Sequence, residues 1–454
     1  MPLTLFAFVV ALGVLIAVHE FGHYRVAVAC GVRVLRFSVG FGKTLWRWQP
    51  KGSPTEFVIG LFPIGGYVRM LDEREAPVPP ELRHLAFNNQ PLAARAAIVA
   101  AGPLVNLLLA VLLYALVNWS GVQQARAILA SPVPASIAEK AGIAGGEFVR
   151  MAALDGEPAV AVHSMDDLRW RLAQGALKGQ DVTLILSAGD PSATREVVLP
   201  LAQMGVRDVD ASLFQRIGIT GPLTQPVIGE LIAGGAAVKA GLREGDRVLR
   251  MGDTRIVDGQ QLREAIRASV VGAHAVASQW TITRSGQTME LLVEPVVVRE
   301  SERLVGKIGA FVGGAPEMVT VRYGFSDGVW NALTRTWEVS VLTVRMLGRM
   351  LVGEASLKNL NGPITIADYA GKSASQGLAQ YLAFLALISI SLGVLNLLPL
   401  PMLDGGHLMY YLWEAVTGRG EPEAWMARLQ RGGVAVLLVM MGIALYNDLA
   451  RILG

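Results

Sequence analysis

The sequence predicts a polytopic α-helical membrane protein with four transmembrane helices, membrane-associated β-hairpins and two external α+β modules. Three observations predict it. Apolar residues make up 52% of the 454 positions, well above the share in ordinary soluble domains. Residues 2–18, 96–125, 373–403 and 432–447 contain no Asp, Glu, Lys or Arg. A repeated motif lies between the second and third of these segments. Against the roughly 20 residues that a spanning helix needs, the second and third segments are ample and the outer two are short. The first gains length if His19 to His23 are satisfied inside the membrane by a metal ion.

This reading divides the chain into a first span (1–24), a loop with membrane-associated β-hairpins (25–95) and a second span (96–121). Two modules (122–220 and 221–310) and amphipathic surface helices (311–375) follow, then a third span (376–403), a loop (404–431) and a last span (432–450). The basic residues give orientation. Residues 24–95 carry ten Lys and Arg, which by the positive-inside rule places that loop in the cytoplasm. Both termini and the two modules then lie on the opposite side, outside the cytoplasm. A net charge of only +3 and the lack of any nucleic-acid motif argue against nucleic acid as a partner. Cys30 is the only cysteine, so no intramolecular disulfide supports the external modules.

After the first span, Val34 to Trp48 and Glu56 to Met70 are rich in β-branched and aromatic residues interrupted by Gly and Pro, the pattern of short strands. Near a membrane such strands must be buried in protein or line a cavity. Farther on, Ala141-Gly142-Ile143 with Gly146-Glu147 returns 99 residues later as Ala240-Gly241-Leu242 with Gly245-Asp246. Each copy continues into a helical stretch, Met165 to Leu172 or Gln260 to Ala268, and then into β-rich sequence. The second copy, with AGL followed by REGDRVLRM, resembles the PDZ domains of bacterial periplasmic proteases. A PDZ fold binds extended peptide termini by adding a strand to a sheet edge. The first copy departs from the pattern where Gly145-Gly146-Glu147-Phe148 replaces the charged turn. Trp330, Trp337, Arg335, Arg345 and Arg349 recur at helical intervals within residues 322–353, as in a helix lying on the bilayer surface.

The chemistry centres on His19-Glu20-Phe21-Gly22-His23, an HExxH motif. On a helix the i and i+4 imidazoles share one face and can bind Zn²⁺, with the glutamate beside the metal as general base. A catalytic zinc takes three protein ligands and leaves one position open, so a third ligand is required. Asp404, in Asn396-Leu397-Leu398-Pro399-Leu400-Pro401-Met402-Leu403-Asp404-Gly405-Gly406-His407, ends the third apolar segment on the same side of the membrane as the end of the first. His407 is an alternative third ligand, three residues farther on. Two histidines and a carboxylate suit Zn²⁺ best, although Fe²⁺ or Co²⁺ can use the same ligands.

HExxH in the first span with NxxPxPxLDGG in a late one resembles the site-2 protease family, and the likeness covers nearly the whole chain. It implies an intramembrane zinc metalloprotease with His19, His23 and Asp404 as ligands, Glu20 as catalytic base and Asn396 as a donor to the oxyanion. Ala101-Gly102-Pro103 with Asn106 also matches a family pattern. Gly40, Phe41, Gly42, Gly65, Gly66 and Tyr67, in the β segments, are the candidate substrate-binding residues, because a helix must be unwound and held extended before it can be cut. The implied substrates are single-span membrane proteins such as an anti-sigma factor already trimmed outside the membrane, and remnant signal peptides. A noncatalytic scaffold, with the PDZ modules binding exposed termini and a vestigial metal site, is the competing reading.

Overall fold

The computed structural model describes residues 2–188, 193–205, 211–300, 303–352, 362–418 and 423–453. These form two units, residues 1–122 with 322–454, and residues 123–321.

Among the described residues of the first unit, four helices are long and apolar enough to cross a membrane: Pro2–Ala29, Leu92–Ser120, Leu378–Leu397 and the stretch Arg431–Ala450. Their outward faces are apolar. Leu104, Leu108, Leu112 and Leu116, spaced four apart on the second helix, are all exposed, whereas Ala101, Gly102, Asn106 and Ala110 are buried. A soluble helix shows the reverse pattern, so the solvent for this stripe is lipid. Small residues let the helices approach closely. A Cβ on Gly22 would lie 2.6 Å from the Ala101 carbonyl oxygen, and one on Gly393 would lie 3.0 Å from that of Pro103.

Two boundaries differ from those expected. The third span ends at Leu397 rather than 403, because Pro399 and Pro401 lack amide donors and bias the residues before them away from helical geometry. The expected loop 404–431 contains a helix, Asp404–Thr417, and the last helix begins at Glu423. The region expected at 311–375 holds the predicted helices, Phe325–Leu351 and, running one residue past it, Pro363–Gln376, together with the strand Met318–Val321 and the end of the strand Ala310–Val312. Residues 353–361, part of the same expected region, lie outside the described residues. Asp448 of the last helix accepts hydrogen bonds from the Gly362, Ile364 and Thr365 amides at 2.9–3.1 Å. It thereby satisfies donors that the start of Pro363–Gln376 leaves open.

Val34–Trp48 and Glu56–Met70 each fold back on themselves, so two strands make a sheet four segments wide. Phe37 stands opposite Val68 on one side and Phe57 on the other, while Trp48 also pairs with Phe57. The order is therefore 44–48, 56–60, 34–39, 66–70. Gly40 (φ 92°) and Gly42 (φ 85°) make the reversal between the halves of the first strand, in the left-handed region that disfavours any side chain. Residues 66–70 form an edge whose strand partners, among the described residues, are those at 34–39.

The second unit repeats one plan twice. Strands 160–161, 148–154, 182–187 and 194–199 make one sheet, and 254–255, 247–251, 278–284 and 287–293 make the other in the same order. Each has a helix capped by a side chain that accepts from the third following amide: Ser164 for Met165–Lys178 and Asp258 for Gly259–Ala268. The departure at Gly145-Gly146-Glu147 leaves the local structure intact. Arg195 bonds Glu147 and the Gly142 carbonyl, just as Arg284 bonds Asp246 and the Gly241 carbonyl. Asp258, fully buried, also accepts the Ser131 amide at 2.6 Å and so ties the two copies together.

Asp246 is 1% exposed. Burial opposes its charge, but the Arg284 guanidinium and the Arg243 amide outweigh burial and lower its pKa. Its contribution to stability is therefore present above the ordinary carboxylate pKa of about 4 and fades as pH falls below that value. Replacing Arg284 with Met strands a buried carboxylate and is expected to cost ~3 kcal/mol. Faster amide exchange in Arg247–Met251 at pH 7 than in the wild type, with the gap closing in acid, is the measurement that checks this.

Candidate metal centre

His19 and His23 point from one helical face, one turn apart, with their Nε2 atoms 3.3 Å from each other. Asp404 Oδ2 lies 3.3 Å from His19 Nε2 and 3.6 Å from His23 Nε2. Zinc held tetrahedrally at about 2.0–2.2 Å sets its ligand atoms roughly 3.3 to 3.5 Å apart. The three donor atoms therefore already stand at the corners that such an ion requires. Two basic nitrogens facing each other at this distance share at most one proton, and a cation between them answers both.

The second helix fixes which nitrogens face inward. His23 Nδ1 donates to the Ile98 carbonyl at 2.8 Å, leaving the Nε2 lone pair to face the candidate metal position. The Asn106 side-chain amide lies 3.2 Å from His19 Nδ1, and among the described residues its Oδ1 is buried with no partner. Turning that amide over places Oδ1 on an Nδ1 proton, which gives His19 the same tautomer as His23. Gly102 makes room for both rings, since a Cβ there would sit 2.3 Å from His23 Nε2 and 2.8 Å from His19 Cε1.

Asp404 opens its own helix immediately after the broken third span. Met402 has φ 88°, a left-handed backbone that costs a non-glycine residue of order 1 kcal/mol, two positions before this side chain. Gly405 and Gly406 press on the Leu397–Leu400 backbone, where a Cβ would meet the Leu398 and Leu400 carbonyl oxygens at 2.2 and 2.4 Å. A carboxylate binds a metal ion in its ionised form, so Asp404 offers Oδ2 to the same position that the two Nε2 atoms face.

The sheet closes the site from another direction. Gly66, on the edge segment, lies against the first helix so tightly that a Cβ would come within 2.7 Å of Glu20 Cγ and 2.9 Å of Ile16 Cγ2. Gly65 does the same for Phe41, whose ring stacks on Tyr67 at 6.1 Å. Gly65, Gly66 and Tyr67 therefore belong to the segment beside Glu20, while Gly40 and Gly42 shape the bend that follows Val39, the residue opposite Gly66. Asn396 lies half-buried in the last turn of Leu378–Leu397. Among the described residues, the His/Cys/Asp/Glu cluster with metal-binding spacing comprises His19, His23 and Asp404. His407 is outside it, with its ring edge-on to Tyr410. Sequence reading missed the Ile98 carbonyl, because a backbone ligand partner leaves no trace in residue identity.

A fold of apolar helices carrying an HExxH metal site on the first of them defines a membrane metalloprotease. Residues 7–440 match the model of peptidase family M50, and the chain belongs to that family. It is 40% identical to the regulator of sigma-E protease RseP of Escherichia coli, over 98% of both chains. A protein of Ralstonia nicotianae that bears a zinc metalloprotease name is 42% identical over 99% of both chains. The protease RseP of Yersinia pestis is 40% identical, again over 99% of both. The protein is a zinc-dependent metalloendopeptidase of the membrane, and the scaffold reading falls.

Gly102→Ala is expected to force the imidazoles apart while leaving the apolar packing of the helices in place. Zinc affinity should fall by about 10- to 100-fold, the range for damage to groups that support metal ligands. Bound zinc per protein after dialysis against a graded chelator series checks it.

Proposed function

We propose that this enzyme cleaves peptide bonds within the transmembrane helices of single-span proteins, with His19, His23 and Asp404 as the zinc ligands and Glu20 as the catalytic base. The observation that carries this reading is the triangle of His19 Nε2, His23 Nε2 and Asp404 Oδ2, with sides of 3.3–3.6 Å and drawn from two segments far apart in sequence.

Zinc, when bound, supplies an acidified water and a Lewis acid for the scissile carbonyl. The chain supplies the rest. Glu20 takes the proton of the attacking water on its carboxylate and delivers it to the leaving amide nitrogen. The Asn396 amide donates to the carbonyl oxygen as it gains negative charge. The edge segment 66–70 offers its open backbone groups to a substrate strand, replacing the hydrogen bonds that a helix loses on unwinding. Gly66 lies against Glu20, so a strand added there passes beside the base. Gly40, Phe41, Gly42, Gly65 and Tyr67 hold that edge in shape.

The relatives named for sigma-E regulation support an anti-sigma factor, trimmed beforehand by another protease, as the natural substrate class. Remnant signal peptides fit the same site. The two repeated modules are PDZ domains in this reading, facing the periplasm with both termini, while the metal centre lies toward the cytoplasmic side. The ten basic residues of positions 24–95, eight of them in the loop between the first two helices, support that orientation.

With a tagged single-span substrate in native membranes, Glu20→Gln should lower cleavage by about 10³-fold or more while zinc stays bound. Asp404→Asn should lose both zinc and cleavage. Equal cleavage by wild type and Glu20→Gln would overturn the mechanism.

A further inference from the structure

The helix that begins with Asp404 carries only this one member of the candidate metal triangle, at its first residue. Its metal-side face is a single stripe: Asp404, His407, Tyr411 and Glu414, at spacings of three, four and three. The far end of that stripe is gripped. Arg95 Nη2 donates to Glu414 Oε1 at 2.7 Å, and the guanidinium lies 5.1 Å from the centroid of the Tyr411 ring. The Arg95 side chain is 16% exposed and that of Glu414 is 30% exposed.

Arg95 occupies the first turn of the second helix, where a cation opposes the helix dipole and gains nothing from it. Its Nε donates to the Gln90 carbonyl at 3.2 Å, which holds the side chain in one direction. On the second helix Arg95 belongs to a stripe of its own. Arg95, Ile98, Gly102 and Asn106, at spacings of three, four and four, share a face. Ile98 orients His23, Gly102 gives both rings their space, and Asn106 meets His19. One face of one helix thus touches both histidines and the helix that carries the aspartate.

We propose that Arg95 is a positioning residue for the metal centre: through Glu414 and Tyr411 it sets the rotation of the helix bearing Asp404, so that the second helix acts as a common ruler for all three ligands. This rests on the reading of Asp404 as a ligand. The ion pair sits ten residues from Asp404 and touches neither metal nor substrate, so it acts only through the helix.

The test uses the full-length protein in detergent, with zinc affinity from chelator competition and the visible absorption of the Co²⁺-substituted enzyme, whose intensity reports tetrahedral geometry. The variants are Arg95→Met, Glu414→Gln, the exchange Arg95→Glu with Glu414→Arg, and Asp404→Asn as reference. Arg95→Met and Glu414→Gln should each weaken zinc binding by about 10-fold and dim the cobalt band, and the exchange should recover part of both. Wild-type zinc affinity and an unchanged cobalt band in both single variants, while Asp404→Asn loses them, would overturn the role of Arg95. Retention of both by Asp404→Asn would instead overturn the ligand assignment. If Arg95→Met fails to fold, the Glu414→Gln spectrum decides alone: a dimmed band supports the proposal and an unchanged one overturns it.

Discussion

Two imidazole nitrogens held 3.3 Å apart inside an apolar helix bundle are the constraint on which the rest of the first unit depends. Both rings are largely shielded, with side chains 12% and 11% exposed, and each Nδ1 takes its partner within the bundle. The second helix provides both, through the Ile98 carbonyl and the Asn106 amide, and it can come close enough only because residue 102 is glycine. Packing of the third span follows from the same need. Ser389 donates to the Asn106 carbonyl at 2.7 Å, and Gly393 lies against Pro103, so the helix that precedes Asp404 is seated on the helix that orients the histidines.

The sheet answers a different difficulty. Open strand edges are costly at membrane depth, yet cleaving a helix requires somewhere for its freed backbone groups to go. Folding two strands into four segments confines the open backbone of residues 66–70 to the side next to Glu20 and spends the other pairings internally. Exposed Leu45, Trp46 and Trp48 mark the opposite edge segment as one that faces an apolar or interfacial environment. The glycines here are structural requirements of close approach. Gly60 and Gly40 cross backbone to backbone, and a Cβ on Gly60 would sit 2.7 Å from the Gly40 carbonyl carbon.

What the sequence revealed was what depends on composition and spacing: the four apolar helices, the HExxH face, the 99-residue repeat and the candidacy of Asp404. What it hid was what depends on backbone. The Ile98 carbonyl, the fold-back of Val34–Trp48 and the left-handed Met402 are properties of chain path that no side chain announces. Asn106 was visible as part of a pattern but not as the neighbour of His19, because a buried amide serves packing and orientation equally well. Likewise, Gly145-Gly146-Glu147 suggested a departure in the first module, where the structure restores the same arginine–carboxylate pair with a longer acid. Charge and reach decided that local geometry, and the motif letters did not.

Of the three residues in the candidate metal triangle, one comes from a helix start and two from a helix interior. His19 and His23 lie in the second half of Pro2–Ala29, and Asp404 is the first residue of its helix, after a span that Pro399 and Pro401 cut short. A ligand in mid-span would be locked by the spacing of its own helix. A ligand at a helix start can be placed by the turn before it, and that turn carries the strained Met402 and the tight Gly405 and Gly406 contacts. Such a turn fixes the position of Asp404 along the bundle but not the rotation of the helix that follows. Rotation needs a second point of contact at a distance, and among the described residues the Arg95–Glu414 pair is a contact between that helix and the one that orients the histidines.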